Sequence, residues 1–347
     1  MQEEVKLTPK LFINKVLAGT ALGTIIALIP NAVLGAILGY FDHIRLVQMI
    51  IQAAVIIQLA TPLIIGALIA KQFDFTPPKI MVTAAAAFAG SGVIKFNPEI
   101  GAYVGAGTGD IINIMLTASI AVLLLMLIKD SFGSVSLIAL PIVIGVGAGV
   151  AGMLLYPLVT QITVSIGNVI NNFTTLQPVL MSILIALSFG ALIISPITTV
   201  GIGLAIGLSG MSSGAAAMGI AATTYVLVVN SWTVNEKGVT LAIALGGMKM
   251  MMPNLFRTPI ILVPCMFTAF ISALGVALFN VQGVPQSAGF GLVGLVGPLA
   301  SLEAGLNPAL VLLTWLVIPL AAALASQIIF EKVLKLYDRE KVFKFLG

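Results

Sequence analysis

The feature that most constrains this chain is a series of apolar runs that continue without a polar break for most of a membrane's thickness. One of them, LTASIAVLLLMLI, holds nothing more polar than a hydroxyl before Lys129. A hydrocarbon core about 30 Å thick takes about 20 apolar residues of helix to cross. In lipid the backbone must satisfy its own polar groups, so only helices and closed barrels span. A barrel would alternate apolar and polar positions over segments of about ten residues, and these runs do not alternate. Composition agrees: 59% of the residues are hydrophobic and 8% charged, whereas soluble domains carry about 25% charged residues. Sixteen basic and 12 acidic side chains cannot cover a water-facing surface for 347 residues. Disorder is excluded too, because disordered segments are polar. The predicted fold class is all-α: a polytopic transmembrane helical bundle of about ten spans with re-entrant or broken helices.

The ten candidates are Phe12–Leu28, Leu46–Ala70, Ile80–Ile94, Ile111–Ile128, Val135–Leu155, Val179–Ile194, Val200–Val229, Val239–Met252, Ile260–Phe279 and Pro308–Phe330. Ile80–Ile94 and Val239–Met252 are short and read as re-entrant hairpins or half-helices; eight crossings with two such segments fit equally well. The 35 glycines and 17 prolines sit mostly at or inside apolar runs, and transporters build sites from such broken helices. Lys6, Lys10 and Lys15 at one end and Lys332, Lys335, Arg339, Lys341 and Lys344 at the other place both termini in the cytoplasm by the positive-inside rule. No cleavable signal sequence is expected. Residues 1–330 read as one transmembrane domain and 331–347 as an amphipathic cytoplasmic tail lying on anionic lipid. The segment 156–177 is also amphipathic.

Most chemical motifs are absent or dismissed. There is no Walker A loop. The single GxGxxG match, Gly147–Gly152, lies inside an apolar run, where close helix packing explains it better than a dinucleotide. The lone His43 and the lone Cys265 make no zinc site, catalytic dyad or disulfide framework. The sequon at Asn172-Phe173-Thr174 carries no weight. No catalytic residue, metal or cofactor is expected, and the net charge of +4 gives no reason to expect nucleic acid.

What remains is a small set of charged and amide groups at membrane depth, which are costly there and mark pathways by default. KFNPEIGAYVGAGTGDIIN holds Asn97, Glu99, Asp110 and Asn113, as a solute-lining loop or as an ordinary loop with Asp110 capping a helix. NSWTVNEKGVTLAIALGGMKMMMPNLFR holds Asn230, Trp232, Asn235, Glu236, Lys249 and Asn254. There the aromatic offers a face to a sugar and the amides offer donors and acceptors to hydroxyls. Lys249, between GGM and MMM, must be paired or lose its charge if buried, unless it snorkels. QSAGFGLVGLVGPLASLEAGLNP holds Glu303 in a glycine-rich segment that reads as re-entrant or as a loop.

IPNAVLG (29–35), SPITTVGIGLAIGLSGMSSGAAAMGIA (195–221), SWTVNEKGVTLAIALGGMKMMMPN (231–254) and SAGFGLVGLVGP (287–298) resemble the type 2 phosphotransferase-system enzyme IIC family, which includes the perfringolysin O regulator-like membrane proteins. The likeness covers nearly the whole chain. It implies a sugar-permease-like homodimer in the bacterial cytoplasmic membrane, working with soluble IIA and IIB partners. No membrane histidine role carries over, since His43 lies in a loop, and no phosphorylatable domain is present.

The leading expectation is a permease binding a small polar solute such as a sugar at mid-membrane, with Lys249 fixing a carboxylate or phosphate. Two alternatives remain: a membrane sensor controlling gene expression without net transport, and a carrier of a lipid-like solute with a cavity lined by Met248 and Met250–Met252.

Overall fold

The computed structural model describes residues 7–129 and 131–346. Lys6 and Gly347, which enter the end-charge and tail arguments, lie outside them. The first half runs α1 (Pro9–Leu38), α2 (Arg45–Leu59), α3 (Thr61–Lys71), α4 (Pro77–Gly90), β1 (Ile94–Asn97), β2 (Ala102–Gly105), α5 (Ile111–Ile128), α6 (Ser136–Leu140) and α7 (Gly147–Phe173). The second runs α8 (Pro178–Leu192), α9 (Thr199–Ala205), α10 (Gly210–Ser231), α11 (Lys237–Ala244), α12 (Met252–Arg257) and α13 (Leu262–Phe279). It closes with α14 (Val296–Glu303), α15 (Pro308–Leu312), α16 (Ile318–Gln327) and α17 (Arg339–Val342).

Local chemistry explains many of these boundaries. Proline occupies the first turn of α3, α4, α8, α12 and α15, where its missing N–H costs nothing. Asp110, Gln177, Thr198 and Asn307 accept a backbone N–H at the starts of α5, α8, α9 and α15. Asp110 therefore takes the capping role that was one of its two readings.

Among the described residues, six helices are long and apolar enough to cross a membrane, or up to eight if each of two bent pairs is one span. The expected ten is therefore too many. Ile80–Ile94 splits into the 14-residue α4 and strand β1. Val179–Ile194 is the 15-residue α8. Val200–Val229 breaks into α9 and α10, with Gly207 and Gly210 both at positive φ between them. Leu46–Ala70 is divided at Ala60 into α2 and α3. A break in Val239–Met252, expected as a re-entrant hairpin or a half-helix, is present: α11 and the segment Met248–Arg257 bend by 120°. The amphipathic stretch 156–177 simply continues α7 as far as Phe173.

The chain divides into two compact units, one of residues through Ala27 with Leu59–Val159, the other of Leu28–Gln58 with Thr160–Leu346. In the first, α3, α4 and α5 pack on one another around Ile65, Ile69, Ala87, Ile114 and Ala118. Small residues let the backbones approach, as membrane helices without a hydrophobic driving force between them require. A methyl at Gly152 would meet the Thr117 hydroxyl at 2.2 Å, so this GxGxxG glycine is spent on packing. In the second unit, α8, α10 and α13 form the corresponding trio, with α16 against α10 and α13. Helix α10 is its centre: 83% of its apolar window is buried.

Candidate functional site

The first unit uses its candidate residues locally. Asn97 ends β1 and accepts the Glu99 N–H in the hairpin turn, and Glu99 itself is exposed. Asp110 accepts the Asn113 N–H at 3.0 Å. Asn113 is fully buried and donates to the Gly90 and Gly152 carbonyls at 2.5 and 2.9 Å, tying α5 to α4 and α7.

In the second unit the candidates fall into three groups. Lys249 sits on the one-turn segment Met248–Met251 at the tip of the α11–α12 hairpin, 7% exposed. Its amine donates to the Ser195 and Ile197 carbonyls at 2.5 and 2.9 Å. These carbonyls lie past the end of α8, where helical partners run out and Pro196 has no N–H to offer. The buried amine satisfies them and is satisfied in turn. Thr199, just beyond, donates to the Gly289 carbonyl at 3.0 Å. Met248, Met250, Met251 and Met252 are packed inside the unit.

Asn230, Asn235 and Asn254 meet around the C-terminal segment. The Asn230 carboxamide oxygen accepts from the Tyr337 hydroxyl at 3.1 Å. Asn235 donates to the Phe343 carbonyl and accepts from the Phe345 N–H, both at 2.7 Å. Asn254 donates to the Val342 and Lys344 carbonyls at 2.8 and 2.7 Å. Burial, reinforced by the nearby Glu331 carboxylate, pushes the Tyr337 phenol well up. Trp232 (67% exposed) and Glu236 flank this cluster in the open.

Glu303, the last residue of α14, lines a cavity of about 370 Å³ with Asn31, Gln286, Phe290, Val296 and Leu299. That volume is in the ~300–1,000 Å³ range of small-molecule sites. The cavity offers an aromatic face, apolar walls and three polar groups: one carboxylate and two carboxamides. None of the described residues lining it is basic. Asn31 lies in α1 just after Pro30 and donates to the Gln58 side chain. Asn31, Gln58, Gln286 and Phe290 did not stand out as site residues in the sequence. The available signal was an amide inside an apolar run, in IPNAVLG, and the glycine-rich segment beginning at Gln286.

No curated protein and no solved structure matches the chain. The sequence model of the family described as phosphotransferase system, EIIC, matches residues 14–344. The apolar helices, the broken hairpin and a match over nearly the entire length agree: this multi-pass membrane protein belongs to the phosphotransferase system EIIC family.

Proposed function

We propose that this protein carries a neutral, polyhydroxylated solute across the bacterial cytoplasmic membrane, and that the solute binds in the cavity of Asn31, Gln286, Phe290 and Glu303. Membership of the family supports a sugar-permease type of transporter. The observation that carries the site is the lining itself: carboxylate and carboxamides for hydroxyls, with Phe290 beside them. None of the described lining residues is basic, which favours an uncharged sugar over its phosphate, since a phosphate there would sit beside the Glu303 carboxylate. Lys249, read from sequence as a partner for a carboxylate or phosphate, has two backbone carbonyls instead and acts here as a positioning residue.

Any phosphoryl transfer would be supplied by soluble IIA and IIB partners, with both termini on their side of the membrane and the chain working as a homodimer. The deciding experiment is uptake into vesicles, using a panel of radiolabelled neutral hexoses, pentoses and polyols alongside hexose phosphates. Saturable uptake of a neutral sugar, weakened by Glu303→Gln and Gln286→Ala, supports the reading. Preference for a phosphate, or indifference to both substitutions, overturns it. A sensor without net transport is the second reading, favoured by the buried C-terminal segment, and predicts saturable binding with no flux.

A further inference from the structure

In the stretch expected as an amphipathic cytoplasmic tail, 331–347, the described residues after Val333 are helical only in the single turn α17. After Val333 the chain leaves the helix and turns back at Lys335, whose φ is +48°. Tyr337 and Val342 are buried and Phe343 is 0% exposed, its ring 5.4 Å from that of Tyr337. Arg339 pairs with Glu331 at 2.6 Å and also reaches the Thr233 hydroxyl. Every bond that Asn235 and Asn254 make to this segment goes to a main-chain atom of residues 342–345. The seat reads the main chain at the end of α17 and just beyond it, while the side chains of Lys341 and Lys344 are exposed.

The three carboxamides bracket the re-entrant hairpin. Asn230 and Asn235 precede α11, and Asn254 lies at the start of α12. A segment bonded ahead of α11 and to α12 spans the 120° bend between them. The tip of the same hairpin is held against the cavity wall. Lys249 binds the 195–197 turn, Thr199 binds Gly289, and a methyl at Gly246 would lie 3.0 Å from Val293. Residues 287–297 contribute Phe290 and Val296 to the cavity.

We propose that residues 337–346 form a releasable latch on the re-entrant hairpin, and that unseating them frees the hairpin and the cavity wall at 287–297 together. The Asn254 carboxamide oxygen and one Glu331 carboxylate oxygen are buried without a partner in the seated state. Such atoms regain water on release, which offsets part of what the seat's contacts contribute. The proposal deepens the transport reading by naming what regulates its cavity, but the mechanical link stands whether or not the cavity takes a sugar.

The test is amide hydrogen exchange on the full chain in lipid nanodiscs, with no solute added. The double variant Asn235→Ala/Asn254→Ala removes four bonds and is expected to raise exchange over 339–346 about tenfold or more. Exchange should rise with it over 242–257 and 287–297, while α10 and α13 keep wild-type rates. Loosening of 339–346 alone overturns the coupling, and unchanged 339–346 overturns the seat. If α10 and α13 also loosen, the milder Asn235→Ala variant is judged by the same criteria. Lys344→Ala is expected to exchange as wild type; loosening there would overturn recognition of the main chain.

Discussion

Replacing Gly219 by alanine tests the packing on which the second unit rests. Its Cβ would lie 2.0 Å from the Ala186 carbonyl oxygen and 2.7 Å from the Ala186 Cα. Ordinary contact begins near 3.4 Å, so α8 and α10 must part by about 1.4 Å at this point. A gap of 0.5–1 Å already forfeits a quarter to a half of the dispersion wells across an interface, and forced overpacking costs about 1–3 kcal/mol. Alanine recovers about 0.5–1 kcal/mol of helix propensity. The net loss is about 1 kcal/mol, or about 2–4 °C in apparent melting temperature. Gly147 is the control: it is also helical, but a methyl there meets nothing within 4 Å. Gly147→Ala should therefore raise the melting temperature by about 1–3 °C. Both variants are compared by thermal unfolding in one detergent at one scan rate, since membrane proteins often unfold irreversibly. Gly219→Ala melting at or above the wild-type temperature would refute the reasoning, as would equal losses in the two variants.

Glu303→Gln keeps the shape of the cavity but turns a charge-assisted hydroxyl contact into a neutral one. Solute affinity should fall about fivefold to tenfold, read from KM in vesicle uptake. Lys249→Met leaves the Ser195 and Ile197 carbonyls without their donor and should cost about 1–3 kcal/mol in thermal stability. Asn113→Ala cuts the ties from α5 to α4 and α7 and should cost about 1–3 kcal/mol, measured in the same way. Tyr337 holds its proton more tightly when seated, because burial raises its phenol above the ordinary value of 10.0. Its contribution to latching is thus complete below pH 10 and lost as pH rises through the seated value, so protease protection of 337–346 should hold through neutral pH and weaken only in strong alkali. Tyr337→Phe should remove that alkaline step.

Much of the architecture was legible because lipid leaves few options. Continuous apolar runs mean helices, and the shortness of Val239–Met252 pointed to a hairpin or half-helix, where the structure has a 120° bend. The span count was less legible: a run such as Val200–Val229 is apolar throughout, and only the backbone turn at Gly207–Gly210 divides it. Glu303 could be picked out as a lone carboxylate in a glycine-rich segment, and it does line a cavity. Asn230, Asn235 and Asn254 were equally conspicuous, yet their partners are the chain's own residues 337–345, about 90–110 positions away.

The sequence by itself therefore determined the solvent, the helical class, the family and the small set of polar groups whose burial needs a reason. Hydropathy and local backbone chemistry act over one or two helical turns, and a single chain records them directly. Which polar group meets which was decided by tertiary structure alone. A carboxamide in an apolar setting must find a partner, but its chemistry is indifferent to whether that partner is a sugar hydroxyl or the backbone of a returning chain. Only the fold, by bringing residues 337–345 to Asn235 and Asn254 and Asn31 to Glu303, assigns the first set to a latch and the second to a cavity.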